Sequence, residues 1–214
     1  MASSPTKITG RVIIAGPVSV GKTCLIERFV NNIFDEDECI STVGVDCYEK
    51  SVYVENNEVK LFLYDTAGQE RFAEMTSSYY RKGDVCLLCF DLSADIDASL
   101  NSMDSWRRKI LDSASKVTFI MVGTKEDLLL EPRKADVQTV LDWAEEKGMP
   151  YFPTSALQGG DHINFLFNAV AEKCIRLHRE KELESLTQRE RRGVKLQSAF
   201  GRPQKSKLES CCER

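Results

Sequence analysis

Apolar residues recur with two periods along residues 1–180 of this 214-residue chain. Short runs rich in Val, Ile, Leu and Phe predict strands at Ile8–Ala15, Val45–Val54, Val59–Tyr64, Val85–Phe90 and Val117–Val122. The last two are near-continuous apolar runs, as expected for strands buried on both faces. Between the runs the spacing becomes helical. One segment predicts a helix near Lys22–Asn31, and Leu100, Met103, Trp106, Ile110 and Leu111 form a stripe. Val137, Val140, Leu141 and Ala144 form another, stopped by Gly148, and Ile163, Leu166, Phe167, Val170, Ala171, Cys174 and Ile175 the most regular. Strands alternating with helices imply an α/β fold, a mostly parallel six-stranded sheet with helices on both faces. Glu55–Glu58 joins two strand patterns and predicts a hairpin, so one strand runs antiparallel.

From Lys181 the apolar face fades. Residues 1–180 therefore read as one domain and 181–214 as a tail, with Glu182–Arg192 able to extend the last helix and Gly193–Lys207 reading as disordered linker. Charge follows the same division. Residues 1–180 hold 20 basic and 28 acidic side chains, a balance of −8, and residues 181–214 hold 9 and 5, a balance of +4. An acidic body argues against nucleic acid as a partner, whereas a basic tail suits an anionic membrane leaflet. No run reaches the length of a membrane span, and Met1–Lys7 has no signal-peptide pattern. Ala2 stands where N-myristoylation requires glycine.

Eight cysteines raise the question of disulfides. Cys24, Cys86, Cys89 and Cys174 fall in predicted core elements, and Cys86 and Cys89 would face opposite sides of a strand. The expectation is reduced thiols, neither a zinc site nor a redox pair, in a reducing cytosol.

Gly16-Pro-Val-Ser-Val-Gly21-Lys22-Thr23 fits the phosphate-binding pattern G-x-x-x-x-G-K-[ST], after a strand pattern and before a helix pattern. Such a loop turns the N–H groups of Val18, Ser19, Val20, Gly21, Lys22, Thr23 and Cys24 toward a polyphosphate, and a helix N-terminus adds positive charge. Lys22 would reach the β- and γ-phosphates and the Thr23 hydroxyl would ligate Mg²⁺. A second motif, Asp65-Thr-Ala-Gly68-Gln69-Glu-Arg-Phe72, closes the run Lys60–Tyr64. Its Asp65 could hold Mg²⁺ through water, Gly68 could contact a γ-phosphate and Gln69 could orient the attacking water.

With these motifs the chain resembles the Ras superfamily of small GTPases from about Lys7 to Arg179. Thr124-Lys125-Glu126-Asp127 is similar to its guanine-reading motif and Thr154-Ser155-Ala156-Leu157 to its last nucleotide motif. Ser41–Asp46, Tyr79-Tyr80-Arg81, Leu88–Leu92 and the end Cys211-Cys212-Glu213-Arg214 resemble the Rab branch. The resemblance implies a GTP/GDP switch of vesicle and membrane traffic that hydrolyses GTP slowly with Mg²⁺. Asp127 would read the guanine edge, Lys125 would lie along the base, Phe34 would stack edge-on, Ser155 would buttress Asp127 and the Ala156 N–H would meet O6. Thr42 would join Thr23 and Asp65 around the metal, and Gln69 would be catalytic. Cys211 and Cys212 would carry prenyl groups that hold a monomer on the cytosolic face of an internal or plasma membrane. Its partners would be an exchange factor, an activating protein, an escort or dissociation inhibitor, and effectors.

Four positions depart from the family pattern. Thr124 replaces an Asn whose amide ties the base pocket to the phosphate loop, and a hydroxyl is expected to be too short for those bonds. Leu157 replaces a Lys. Val18 stands where a small residue is usual and would crowd Gln69 or an incoming arginine finger. Cys47 replaces the Phe of an aromatic effector triad otherwise held by Tyr64 and Tyr79. Two rivals remain open on the sequence: a mostly GTP-loaded scaffold of low activity, and a P-loop phosphotransferase.

Overall fold

Strand β1 (Thr6–Ala15) leads into helix α1 (Lys22–Asn31); β2 (Val45–Val54) and β3 (Asn57–Thr66) follow. Then come β4 (Val85–Asp91), α2 (Ile96–Ser113), β5 (Thr118–Thr124), a 3₁₀ turn (Glu126–Leu128), α3 (Lys134–Glu146), β6 (Tyr151–Pro153) and α4 (Asp161–Phe200). This computed structural model describes residues 6–35, 42, 44–66, 78–114, 116–129 and 134–200. The six strands form one sheet in the order β2-β3-β1-β4-β5-β6. Every pairing is parallel except β2 with β3, the expected hairpin, which turns at Glu55–Asn56 with Glu55 at φ 53°.

The alternation of side chains across the sheet builds two cores. On one face Val12, Ile14, Leu61, Leu63, Leu87 and Val122 meet Leu25, Ile26 and Phe29 of α1 and Leu166, Phe167 and Val170 of α4. Phe29 and Phe167 stack with ring centroids 3.6 Å apart. On the other face Ile13, Leu88, Phe90 and Met121 meet Leu100, Met103 and Ile110 of α2 and Val140 and Ala144 of α3. Cys86 joins this second core and Cys89 the first, so the C-x-x-C pair does straddle the sheet. Gly10 admits α4: a Cβ there would lie 2.5 Å from the Cys174 sulfur.

Cys47, Cys86, Cys89 and Cys174 are free thiols, as expected. Cys24 differs. It is half-buried rather than a core residue, and it is disulfide-bonded rather than a free thiol.

The chain divides into two units, Met1–Leu177 and His178–Arg214. In the second unit the helix continues to Phe200, where linker was expected from Gly193. Residues 181–192 are mostly Lys, Glu, Leu, Gln and Arg, strong helix formers, and one glycine costs only about 1 kcal/mol against Ala. His178 and Glu182 add an i,i+4 pair at 3.4 Å, while Leu183 and Leu186 stay exposed. No helix among the described residues is long and apolar enough to cross a membrane.

Candidate functional site

The carboxyl ends of β1, β3, β4, β5 and β6 bring together Gly16, Asp65, Asp91, Thr124 and Thr154, the side of a parallel sheet where ligands bind. The loop after β1 needs its glycines. Gly16 has φ 140°, and a Cβ there would fall 2.2 Å from the carbonyl oxygen of Cys89. Gly21, at φ 92°, caps α1 in a left-handed conformation without any side-chain hydrogen bond, which leaves the N–H groups of the first turn directed out of the helix end. Ser19 also has positive φ, 62°. Lys22 folds back over the loop, its Nζ donating to the carbonyls of Gly16 at 3.0 Å and Pro17 at 2.7 Å. Burial pushes its pKa below the usual value, with Cys89 and Asp65 opposing. Val18, at the tip, is 39% exposed and Val20 is buried.

Three oxygens of the expected metal set converge beside this lysine. Thr23 Oγ1 donates to Asp65 Oδ2 at 2.6 Å, Thr42 Oγ1 lies 3.1 Å from the same oxygen, and the two hydroxyls are 2.9 Å apart. The other carboxylate oxygen, Asp65 Oδ1, is buried with no hydrogen-bond partner among the described residues. Burial raises the Asp65 pKa, and the bonds from Thr23 and Thr42 and the charge of Lys22 only partly oppose it. A buried orphan oxygen among hard oxygen donors fits Mg²⁺, which binds through one or two carboxylates, hydroxyls, waters and phosphate.

The base side of the site corrects two expectations. Thr124 does span the gap to the phosphate loop: its hydroxyl lies 2.5 Å from the Val20 carbonyl and 2.8 Å from that of Phe90. The strand end sits close enough, with Thr124 Cβ only 3.8 Å from where a Gly21 Cβ would be, for the short side chain to reach. What threonine lacks is a second hydrogen: one O–H faces two acceptors that an Asn amide would serve separately. Ser155 does not hold Asp127. Its Oγ instead accepts from the Gln158 N–H at 3.0 Å and closes the turn after β6. Asp127 sits half-buried in the 3₁₀ turn, and among the described residues nothing pairs with its carboxylate. Lys125 adopts φ 58° and donates to Asp91 Oδ2 at 2.7 Å. Leu157, 49% exposed, and Leu128, 53% exposed, lie in the turns after β6 and β5, and Phe34 is half-buried after α1.

Sequence reasoning gave no role to two residues here. Asp91 anchors Lys125 and accepts from both the N–H and hydroxyl of Ser93. Burial works against its ionisation, yet these bonds hold its pKa below the ordinary carboxylate value. Its only sequence signal is an acid at the end of a buried strand. Arg28 reaches from α1 to the carbonyls of Ala156 and Leu157, contacts that no local pattern reveals.

Tyr64 and Tyr79 meet with ring centroids 5.2 Å apart, and Cys47 faces Tyr64 across the β2–β3 pairing. The Cys47 thiol is exposed, and burial and Glu49 raise its pKa. Gly68 and Gln69, and the terminal Cys211 and Cys212, lie outside the described residues.

A sequence model of the Ras family matches residues 11–176. The chain is 36% identical over 174 residues to the human Ras-related protein Rab-30, across 81% of this chain and 83% of that protein. It is 35% identical to Drosophila melanogaster Ras-related protein Rab7 over 179 residues, covering 81% and 84% of the two chains. It is likewise 35% identical to the GTP-binding protein yptV2 of Volvox carteri over 208 residues, covering 94% and 93%. With a glycine-shaped loop after β1, a carboxylate and two hydroxyls within hydrogen-bond distance of one another, and these relatives, the chain belongs to the Ras family of small GTPases and, within it, to the Rab branch.

Proposed function

We propose that this chain runs a GTP/GDP switch of membrane traffic through the site at the carboxyl ends of its strands, with the residue roles that follow. As a Rab-type GTPase it binds GTP and GDP with Mg²⁺ and hydrolyses GTP. Neither the GTP-loaded scaffold nor the phosphotransferase is favoured by that membership. The observation that carries the residue assignment is the convergence of the Thr23 and Thr42 hydroxyls on one oxygen of Asp65, whose other oxygen is buried without a partner among the described residues, next to Lys22.

The loop N–H groups from Val18 to Cys24 and the α1 N-terminus receive the phosphates, and Lys22 exchanges its bonds to Gly16 and Pro17 for phosphate oxygens. Thr23 and Thr42 would hold Mg²⁺ directly and Asp65 mainly through water, and the bound metal would supply positive charge beside the phosphates. Asp127 accepts from the N1–H and exocyclic amine of guanine, and the Ala156 N–H donates to O6. Ser155, by closing the turn that follows it, positions that N–H. Lys125, Leu157 and Phe34 border the base. Gln69 orients the water that attacks the γ-phosphorus. Loss of γ-phosphate removes the partner of Thr42 and Gly68, so the two loops relax. Cys211 and Cys212 carry two prenyl chains, enough for stable anchoring to a cytosolic membrane face, and the protein acts as a monomer.

Release of a fluorescent GDP with and without chelator tests the assignment. Chelation should speed release in the wild type, and Thr23→Asn should favour a nucleotide-free or GDP-like form. Release insensitive to chelation, or a Thr23→Asn protein that binds GTP normally, overturns the metal assignment.

A further inference from the structure

Arg28 lies near the C-terminal end of α1, on the turn that packs Leu25, Ile26 and Phe29 into the core. Its guanidinium serves three backbone carbonyls. Nε donates to Ala156 O at 2.6 Å, Nη2 to Leu157 O at 3.3 Å, and Nη1 to Asn32 O at 3.1 Å, with Asn32 Oδ1 also at 3.3 Å. Among the described residues no carboxylate pairs with it. The same group stands 6.0 Å from the centre of the Phe34 ring, at the outer limit of a cation–π contact.

The surroundings are shaped to admit this side chain. Gly159, at φ 63°, closes the turn that begins at Ser155, and a Cβ there would lie 3.1 Å from Arg28 Cδ and 3.3 Å from Nε. Asn32, at φ 56°, reverses the chain out of α1 toward Phe34. One rigid, planar fork thus ties together the turn carrying Ala156 and the segment carrying Phe34, although the partners stand 128 and 129 positions from Arg28 in sequence.

We infer that Arg28 is a positioning residue for the base: by fixing the Ala156–Leu157 carbonyls and Phe34 together, it holds the Ala156 N–H where guanine O6 is read and sets how long the nucleotide stays. The inference rests on the base-site reading above. Arg28 touches neither phosphate nor metal in this arrangement, so hydrolysis of bound GTP is independent of it. A lysine would keep the charge but has no fork to engage two adjacent carbonyls and Asn32 at once.

The test separates positioning from general bracing. Affinity and release are measured on the full chain for GDP and for 6-thioguanosine diphosphate, which keeps the N1–H and exocyclic amine read by Asp127 but replaces O6 with sulfur, a weaker acceptor. The wild type should prefer GDP severalfold, the difference between an oxygen and a weak sulfur acceptor facing one N–H. In Arg28→Ala, GDP should leave about tenfold faster, the 6-thio analogue should change less, and the preference should shrink towards none. Arg28→Lys should resemble Arg28→Ala, and it serves as the readout if the alanine variant folds poorly. Single-turnover hydrolysis of GTP should be unchanged in whichever variant is used. Equal weakening of both ligands, with the preference intact, would show that Arg28 only braces the fold and overturn the inference, leaving the base-site reading standing. A wild type with no preference between the two ligands overturns the base-site reading and this inference with it.

Discussion

The hydroxyl of Thr124 lies 2.5 Å from the carbonyl oxygen of Val20, joining the end of β5 to the phosphate loop across 104 positions of sequence. A second carbonyl, that of Phe90, is 2.8 Å from the same hydroxyl. With a single O–H, Thr124 satisfies one acceptor fully at a time. Thr124→Asn, bringing two N–H groups, should slow GDP release by up to about tenfold. Thr124→Val keeps the shape and removes the hydroxyl that reaches the two carbonyls, so it should destabilise the protein by about 1 kcal/mol and speed release. Stopped-flow release of labelled GDP checks both, and an unchanged or faster rate in Thr124→Asn would refute the tether argument.

Asp65 gives a pH signature. Its carboxyl is raised above its ordinary 3.8 chiefly by burial, so the folded state holds the proton more tightly than the unfolded chain does. Its contribution to stability is therefore fully present below the ordinary carboxylate value and lost as pH rises through the raised folded value. In nucleotide-free, metal-free protein, Asp65→Asn should gain stability relative to the wild type between those two values, and keep that gain at neutral pH. Added Mg²⁺ with GDP should raise the Tm of the wild type, and of Asp65→Asn much less. Thermal melts from pH 4 to 7.5, with and without the metal, read both effects; a constant difference across that range contradicts the assignment.

Val18 stands 39% exposed at the tip of the phosphate loop, free of the core. If its branched side chain obstructs Gln69 or a partner's arginine, the loss falls on the transition state alone. Val18→Gly and Val18→Ser should speed single-turnover GTP hydrolysis severalfold or more, spare GTP affinity, and lose the gain when combined with Gln69→Leu. An arginine finger is worth roughly 10³–10⁵ in rate, so the contrast should grow with an activating protein present. Equal rates for wild type and Val18→Gly would show that Val18 is no brake.

Membrane attachment should depend on Cys211 and Cys212. Serine at both positions should leave nucleotide binding intact and release the protein from membranes. The basic tail should add only a salt-sensitive increment. Fractionation of cells expressing the double variant decides the matter, and retention on membranes would reject prenyl anchoring.

The sequence by itself determined the elements and the contiguous parts of the site. Alternating and helical periods located five strands and four helices because burial of one face repeats at short, fixed intervals. The phosphate loop was legible because a glycine-permitted backbone and its lysine and threonine fall within eight residues, and the structure shows that Gly16 has no room for a side chain and that Gly21 holds a positive φ that favours glycine. The extension of α4 to Phe200 was misread where local helix propensity outweighed one glycine. What only the tertiary structure decided are the bonds between motifs: Thr23 and Thr42 on Asp65, Lys125 on Asp91, Thr124 on Val20, Arg28 on Ala156 and Leu157. None follows a period or a spacing. Each exists because the strand order β2-β3-β1-β4-β5-β6 gathers distant strand ends at one edge, within the few ångströms over which a hydroxyl, carboxylate or guanidinium can bind.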